Sequence, residues 1–563
     1  MINPTNLNTA SSHQVLAKQG ADFFNAGEYA KAHRAYLEAL LLVPDEKRYK
    51  FALIKCWQML KIQGHNPRVK HALMLCLTDE DIPPQSIADT WLQALFFDPD
   101  MADFQTFTQC ENYAAFKTAF QPGQYAELLN MPYFILGLRK CVVKHFRLER
   151  ALSWLRRYYL QEADKEHKQA VRPFLCALAS YAFLGDYILP YDESESADVG
   201  KYATDFARLS SIDQIILASY KPLYQFSEAT DLFDKAVQQQ LEDVLALTML
   251  QIDEPLEELE ARQQVELVPH KADQLTPEAI LMPYPRWSGA HAGRFAQRRR
   301  KIDQPLEVLF IGCGTAQHVT MAAQHMPKAH IDAVDSSLTD LAYAQRRVNE
   351  LNIPHINFIC ADLADLPGRK RRYDLINGDH YLQTVKDPRE AITQMAACLK
   401  PEGVMRFNLL NSLSRININY WRTHAQSQGY TDDFDGINLL RHDIFTLDVD
   451  PQYKRIVIRP ELYNYVGCKN LFFPSHENAY SCGDIIVLLE GLGLKILSLD
   501  LANPAMQAVY KQRFPEDFTM RKLSNWQKIE QEFPGQFLNG YQLVLARSDT
   551  YHADDLPAWY HAS

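Results

Sequence analysis

Apolar residues recur at three- and four-residue spacing through roughly the first 260 positions, and from about 305 they fall into short runs separated by amphipathic stretches. The first pattern predicts helices that bury one face, and the second predicts strands alternating with helices. The window 17–44 is the most specific part of the helical half. Gly20, Phe23, Gly27, Tyr29, Ala32, Tyr36, Ala39 and Pro44 stand at offsets that suit two antiparallel helices. The small residues permit close approach, the aromatics fill between the helices, and Pro44 ends the second one. One such hairpin cannot bury its own face, so neighbours are expected to stack on it. The segments 47–78, 124–146, 151–163 and 172–187 predict further helices that lack this spacing. Degenerate hairpins are therefore expected as far as about 257, with 192–197, rich in Asp, Glu and Ser, as a surface loop.

A boundary falls between 254 and 305. Glu254-Pro255 is expected to close a helix, and Pro269, Pro277, Pro283, Pro285 and Pro305 interrupt the chain repeatedly. Within this region Met282-Pro283-Tyr284-Pro285-Arg286-Trp287 should be extended, because prolines flank Tyr284. It is either a linker packed by its aromatics or a strap over a ligand mouth. Beyond it, strands are predicted at 306–311, 331–334, 356–360, 373–376 and 404–409, with helices at 317–325, 338–351 and 388–399. Strands joined through helices make right-handed crossovers and a parallel sheet with helices on both faces.

A chain of 563 residues exceeds what one core supports, and 47% hydrophobic with 23% charged residues is the composition of an ordinary soluble protein. No apolar run reaches the roughly 18 residues that cross a bilayer, and the first twenty residues lack the basic start and apolar core of a signal peptide. Ten cysteines without a C-x-x-C pair fit reduced thiols in a cytoplasm and argue against a metal site. A net charge of -11 provides no general attraction for nucleic acid. The basic runs Arg298-Arg299-Arg300-Lys301 and Arg369-Lys370-Arg371-Arg372 are expected to be solvated faces or, as the alternative, a docking patch.

Ligands of such sheets bind beyond the carboxyl ends of the strands. Gly314, Asp335, Asp362 and Asn377 all fall at those ends. Gly312 and Gly314 let the backbone approach a ligand closely and turn into a helix. Asp335, about twenty residues on, can accept hydrogen bonds from both hydroxyls of a ribose. The G-C-G-T-A-Q-H loop lacks the third glycine of the dinucleotide fingerprint, and a second acid, Asp362, follows the third strand. An acid there suits an adenine amino group, with Leu363 flanking the ring. Past the fourth strand, Asp379 and His380 stand where a substrate would meet the ligand. His380 is the candidate base, with Tyr381 lining the pocket.

These motifs carry a resemblance. Val308-Leu309-Phe310-Ile311-Gly312-Cys313-Gly314-Thr315-Ala316 resembles the cofactor loop of class I S-adenosylmethionine-dependent methyltransferases. Ala333-Val334-Asp335, Ala361-Asp362-Leu363, Tyr373-Asp374-Leu375-Ile376 and Leu399-Lys400-Pro401-Glu402-Gly403 resemble its later motifs. The window 17–44 is similar to a tetratricopeptide repeat. More narrowly, the chain resembles bacterial proteins that join a tetratricopeptide region to such a domain through an NPYPRW segment, here MPYPRW. Gln251-Ile252-Asp253-Glu254-Pro255 and the surroundings of Glu477 are also similar to that group.

The resemblance implies an all-α tetratricopeptide-like domain at 1–260, a connector at 261–304 and, at 305–563, a Rossmann-like α/β domain. That domain should hold a seven-stranded, mostly parallel sheet ending in an antiparallel pair, 494–499 and 542–546, after a helix at 484–492. It implies S-adenosylmethionine as cofactor, held by Gly312, Cys313, Gly314, Asp335, Ser336, Asp362, Leu363 and Asn377. The implied catalytic positions are Asp379, His380 and Tyr381, with no metal.

Insertions are expected at 411–481, where a substrate lid would carry His442, His476 and Glu477, and at 502–536, helical over 513–532. Two departures stand out. Phe310 replaces an acid two residues before the first glycine, and His380-Tyr381-Leu382-Gln383-Thr384 replaces the usual G-V-L-H-H. The Asn-Pro-Pro-Tyr signature of amide and adenine-amine methyltransferases is absent. Three readings follow. The helical half recruits a protein or peptide substrate for methylation; or it is a scaffold or homodimerisation arm on a small-molecule methyltransferase; or the chain is a non-catalytic binding module.

Overall fold

Gly27, at φ +77°, turns the chain between the helices Pro4–Asn25 and Tyr29–Leu42. A side chain on Gly20 would meet the ring of Tyr36 at 3.0 Å, which is why a residue without Cβ stands there. Ala32, Ala39 and Leu40 are buried, so this hairpin packs through the small positions expected of it. The computed structural model describes residues 4–268, 282–287, 301–366, 370–501 and 504–560. Pro269, Pro277, Arg298-Arg299-Arg300 and Arg369 lie outside the described residues.

Helices continue to Ala261. The predicted 124–146 stretch is split by Pro132 into Pro122–Leu129 and Pro132–Lys140, with Phe146–Gln161 following. Two expectations are corrected. The acidic stretch 192–197 is the start of a helix, Glu193–Thr204. Asp192 accepts from the Glu195 N–H at 3.0 Å, and Glu195 accepts from the Asp192 N–H at 3.2 Å. Acids in a first turn satisfy the free N–H groups and the helix dipole, so the run that read as a loop is a capping box.

Glu254-Pro255 does not close a helix either. Glu242–Thr248 passes through a π turn, Met249–Asp253, into Glu254–Ala261. A wider turn lets the helix continue past a proline that has no N–H to donate. Gln251 within it is fully buried and satisfied. Its amide donates to the carbonyls of Ala179 (3.0 Å) and Ala218 (3.1 Å), and its oxygen accepts from the Leu223 N–H at 3.1 Å.

The chain forms two compact units. The first comprises residues up to Leu256 together with Trp287 and, from far along the sequence, Ile458–Tyr465. That late segment is tied in by hydrogen bonds from the Asn464 amide to Leu184 O (3.3 Å) and from the Tyr465 N–H to Gly185 O (3.2 Å).

The second unit is built on an eight-stranded sheet. Its strands are β1 (Glu266–Leu267), β2 (Glu307–Ile311), β3 (His330–Asp335), β4 (Ile356–Cys360), β5 (Tyr373–Asn377), β6 (Leu399–Leu409), β7 (Leu494–Asp500) and β8 (Tyr541–Arg547). Their order is β1-β4-β3-β2-β5-β6-β8-β7, parallel except for the antiparallel contacts of β8 with β6 and β7. The seven expected strands are joined by β1, two residues that pair with Ile359 and Cys360 at the edge. So short a strand has no periodicity to read.

Alternation along β2 sends Leu309 and Ile311 into one core and Val308 and Phe310 into the other. Arg371, from the second basic run, is committed to structure. Its guanidinium pairs with buried Asp332 at 2.9 Å and with Glu307 at 3.0 Å, and the Tyr373 hydroxyl completes the site at 2.8 Å from Asp332.

The 411–481 insertion is helical over Ile416–Gln428, Phe434–Thr446 and Tyr465–Phe472. Glu477 is gripped by Arg415 (3.0 Å) and by Arg422 (2.6 and 3.0 Å). Although burial raises its pKa, the two guanidiniums bring it below the ordinary range. It is an internal ion pair rather than a lid residue, and His442 and His476 are exposed. No disulfide links the ten cysteines. Among the described residues no cluster of ligands suits a metal, and no helix is long and apolar enough to cross a membrane.

Candidate functional site

β2 delivers the chain to the middle of the sheet, and three residues with positive φ turn it at once into the helix Gln317–His325: Gly312 (+67°), Gly314 (+51°) and Ala316 (+56°). Gly312 is required twice over. Beyond its φ, a Cβ would come within 2.9 Å of the Tyr381 ring. The Gly312 and Cys313 N–H groups donate to Val334 O at 2.9 and 3.3 Å, which ties the loop to the end of β3.

Asp335 completes that tie. One carboxylate oxygen accepts from the Gly314 N–H at 2.7 Å and the other from the Ser337 N–H at 2.8 Å. Each oxygen keeps a second lone pair, so the acid can shape the loop and still receive two ligand hydroxyls. Burial raises its pKa, and the backbone N–H groups oppose the shift.

Asp362 stands exposed at the rim after β4, in a reciprocal capping box with Asp365, beside buried Leu363. Ser336 is exposed. Cys313 is buried, and burial pushes its thiol well above the usual range. Asn377, buried at the end of β5, accepts from the Asp379 N–H at 2.8 Å. The Tyr381 ring therefore lies against Gly312. Burial, followed by the charges of Asp362 and Asp335, pushes its hydroxyl to about 12. The glycine loop, Asp335, Asp362 and Tyr381 thus gather at the carboxyl ends of β2 to β5.

His380 takes φ +66° and its Nδ1 lies 3.1 Å from the Gln383 amide nitrogen, which also donates to Asn408 O at 3.2 Å. Both amide hydrogens are then used, so Nδ1 is the acceptor and Nε2 carries the proton. The Gln383 amide thus engages Nδ1 of the candidate base.

Two residues that the motifs did not single out join the cluster. His318, in the first turn of the helix after the loop, sets its ring edge-on to Phe310 at 5.6 Å. Burial, with His380 and Arg406 nearby, lowers its pKa to about 4. Its side chain is nonetheless exposed at the surface. Arg406, on β6, lies 3.4 Å from Asp379. Gln542, with its amide oxygen facing the guanidinium, accepts from it at 2.6 and 3.1 Å. Burial raises the pKa of Asp379, while Arg406 and His380 oppose the shift. Arg406 sits mid-strand among apolar neighbours, so only its pairing opposite Asn377 marks it.

Tyr284 and Pro285 also reach this site. The Tyr284 N–H donates to Asp340 at 3.0 Å, and the Thr315 hydroxyl donates to Pro285 O at 2.8 Å, directly after Gly314. Arg286 lies 3.4 Å from Glu258 and over the ring of Tyr343.

Burial, reinforced by the charge of Asp335, raises Asp340 to about 7. An acid whose pKa is higher folded than unfolded binds more protons in the native state. Stability is then greatest below about 3.8 and falls as pH rises toward 7. Asp340→Asn should flatten the fall in melting temperature between pH 4 and 7, and an unchanged slope would assign the titration elsewhere.

Residues 308–403 match the family described as "Methyltransferase domain". The chain is 27% identical over 169 residues to a malonyl-[acyl-carrier protein] O-methyltransferase of Halalkalibacterium halodurans, covering 29% of this chain and 62% of that protein. It is 34% identical over 106 residues to a ubiquinone biosynthesis O-methyltransferase of Coxiella burnetii, covering 18% and 43%. The chain thus spans less than two thirds of the length of these relatives. Among solved structures, PKMT2 from Rickettsia typhi in complex with AdoHcy aligns over 45% of this chain and 51% of its own, at 14% identity and a TM-score of 0.35. The stretch that holds the glycine turn, Asp335 and Asp362 thus lies within the residues that match a methyltransferase domain.

Proposed function

We propose that the chain methylates a protein or peptide that the helical unit recruits. One observation carries this reading. In the Pro4–Asn25/Tyr29–Leu42 hairpin the small packing residues Gly20, Ala32 and Ala39 are buried, while Asn25, Glu28, Lys31 and Arg34 are all exposed. Stacked helical hairpins offer such variable positions as contact surfaces. A similarity to tetratricopeptide repeats at 17–44 supports the same use.

S-adenosylmethionine, when bound, supplies an electrophilic methyl group on a sulfonium. The residues present fit it. The positive φ at Gly312 and Gly314 opens the loop to close approach, Asp335 retains lone pairs for ribose hydroxyls, and Asp362 stands exposed beyond β4 for the adenine amino group. The work left to the protein is orientation and exclusion of water. Tyr381 walls the cleft against Gly312, and the His380 Nε2–H orients an acceptor oxygen or carbonyl by donating to it.

A second reading, an acid or phenol of small-molecule size as acceptor, is favoured by the names of the two relatives. Labelled-methyl transfer into a cell lysate, with protein and small-molecule counts separated, distinguishes the readings. In the full chain, Lys31→Glu with Arg34→Glu should cut label in protein at least severalfold while affinity for S-adenosylhomocysteine is unchanged. Undiminished protein labelling removes recruitment by this hairpin. Label confined to small molecules establishes the second reading instead.

A further inference from the structure

The glycine turn is held from two directions. From the sheet, Val334 O accepts from the Gly312 and Cys313 N–H groups, and Asp335 accepts from the Gly314 N–H. From outside the β2–β3 crossover, Pro285 O accepts from the hydroxyl of Thr315, which is itself buried.

The second hold meets a need of the backbone. Thr315 stands between Gly314 at φ +51° and Ala316 at φ +56°. Alanine carries the Cβ that makes this region unfavourable, and such a residue keeps it only where its surroundings over-determine the turn. The Thr315 hydroxyl, fixed on a carbonyl 30 residues away in sequence, adds that constraint at the neighbouring position.

The same segment reaches Asp335 by a second route. The Tyr284 N–H donates to Asp340 Oδ1 at 3.0 Å, and the Asp340 N–H donates to Ser337 Oγ at 3.2 Å. The Ser337 N–H then donates to Asp335 Oδ1 at 2.8 Å. Asp335 Oδ2 receives the Gly314 N–H, one peptide bond from Thr315. Glycine turn, Asp335, the start of the helix Leu338–Glu350 and Tyr284-Pro285 therefore form a closed ring in which each link fixes the next. Arg286 anchors the segment from the adjoining position, 3.4 Å from Glu258 and over the Tyr343 ring.

We propose that Tyr284 and Pro285 are a positioning strap for the cofactor site, closing this ring so that the glycine turn and Asp335 keep one register before the cofactor arrives. The strap works by preorganisation, since a turn that is already fixed adds no ordering cost to binding. Thr315 acts through Pro285, and Asp340 acts through Ser337. Both are positioning residues rather than contacts of the cofactor. The ring includes Gly314 and Asp335, so opening it weakens ligands with and without the amino-acid tail alike.

The inference rests on the cofactor assignment and is tested by calorimetry on the full chain. The ligands are S-adenosylhomocysteine and methylthioadenosine, which lacks the amino-acid tail. Thr315→Val removes the hydroxyl at nearly constant volume and should weaken both ligands by the same factor, roughly 5- to 20-fold. Thr315→Ser keeps the donor and should stay within about threefold of wild type. Asp340→Ala should weaken both ligands by a factor similar to that of Thr315→Val. A ring already open has little left to lose, so the double variant should fall no more than about threefold below the weaker single variant. Factors that multiply in the double variant overturn the proposal, as do equal losses in Thr315→Val and Thr315→Ser. So does wild-type affinity in Thr315→Val, or a loss there confined to S-adenosylhomocysteine, which makes the hydroxyl a direct contact of the tail. Failure of the wild-type chain to bind either ligand refutes the cofactor assignment itself.

Discussion

Glu258→Ala should destabilise the sheet-bearing unit by about 3–5 kcal/mol, the effect of removing one partner from a buried ion cluster. Glu258 is fully buried, and one of its oxygens lies 3.4 Å from Arg286 and 3.3 Å from Arg346. Arg346 is itself almost entirely enclosed and also reaches Glu350. Without the carboxylate, two guanidiniums face each other over Tyr343 in a site with little access to water. Denaturant unfolding of the full chain, followed by a probe in the second unit, measures the effect. A loss below about 1 kcal/mol would show that the arginines find solvent and that the cluster is a surface pair in energetic terms. The same cluster sets where a fragment can begin. A truncation starting at Leu267 discards Glu258 and should be less stable than one starting at Glu254.

Asp335→Ala should weaken S-adenosylhomocysteine binding by roughly 2–4 kcal/mol, about 30- to 1000-fold. On the proposed reading, the substitution removes the acceptors for two ligand hydroxyls. It also releases the Gly314 and Ser337 N–H groups that hold the loop in its positive-φ turn. Asp335→Asn separates the two contributions, because an amide keeps one acceptor for the loop but loses charge. It should fall between wild type and alanine. Calorimetry decides the matter, and an affinity in Asp335→Ala within about threefold of wild type would remove this residue from the site.

Local signals in the sequence were sufficient for most of the framework. Buried parallel strands favour apolar runs, so β2 to β5 could be placed from the sequence, and Ile356–Cys360 matches the expected bounds to the residue, whereas β6 begins at Leu399 rather than at the expected 404. Only residues without a Cβ penalty tolerate positive φ freely, and Gly312 and Gly314 take it where the turn was expected. A small-residue spacing in 17–44 has a single economical packing, and the hairpin adopts it.

What the sequence did not reveal is partly a choice between local alternatives and partly a matter of partners far along the chain. An Asp-Glu-Ser run reads equally as a loop or as the first turn of a helix, and the Asp192–Glu195 capping box decides for the helix. A proline after a glutamate reads as a stop until a π turn carries the helix past it. Nothing near Ile458–Tyr465 announces that it belongs with residues of the first 256, and nothing near Arg406 announces Asp379. His380 carries the same letters whether it donates or accepts, and the Gln383 amide, pinned by Asn408 O, sets the tautomer. Short-range periodicity and steric limits on φ act within a few residues and are written in the chain. Charge pairing, tautomer choice and the enclosure of a carboxylate are settled by groups dozens to hundreds of residues away, and only the folded sheet brings those groups together.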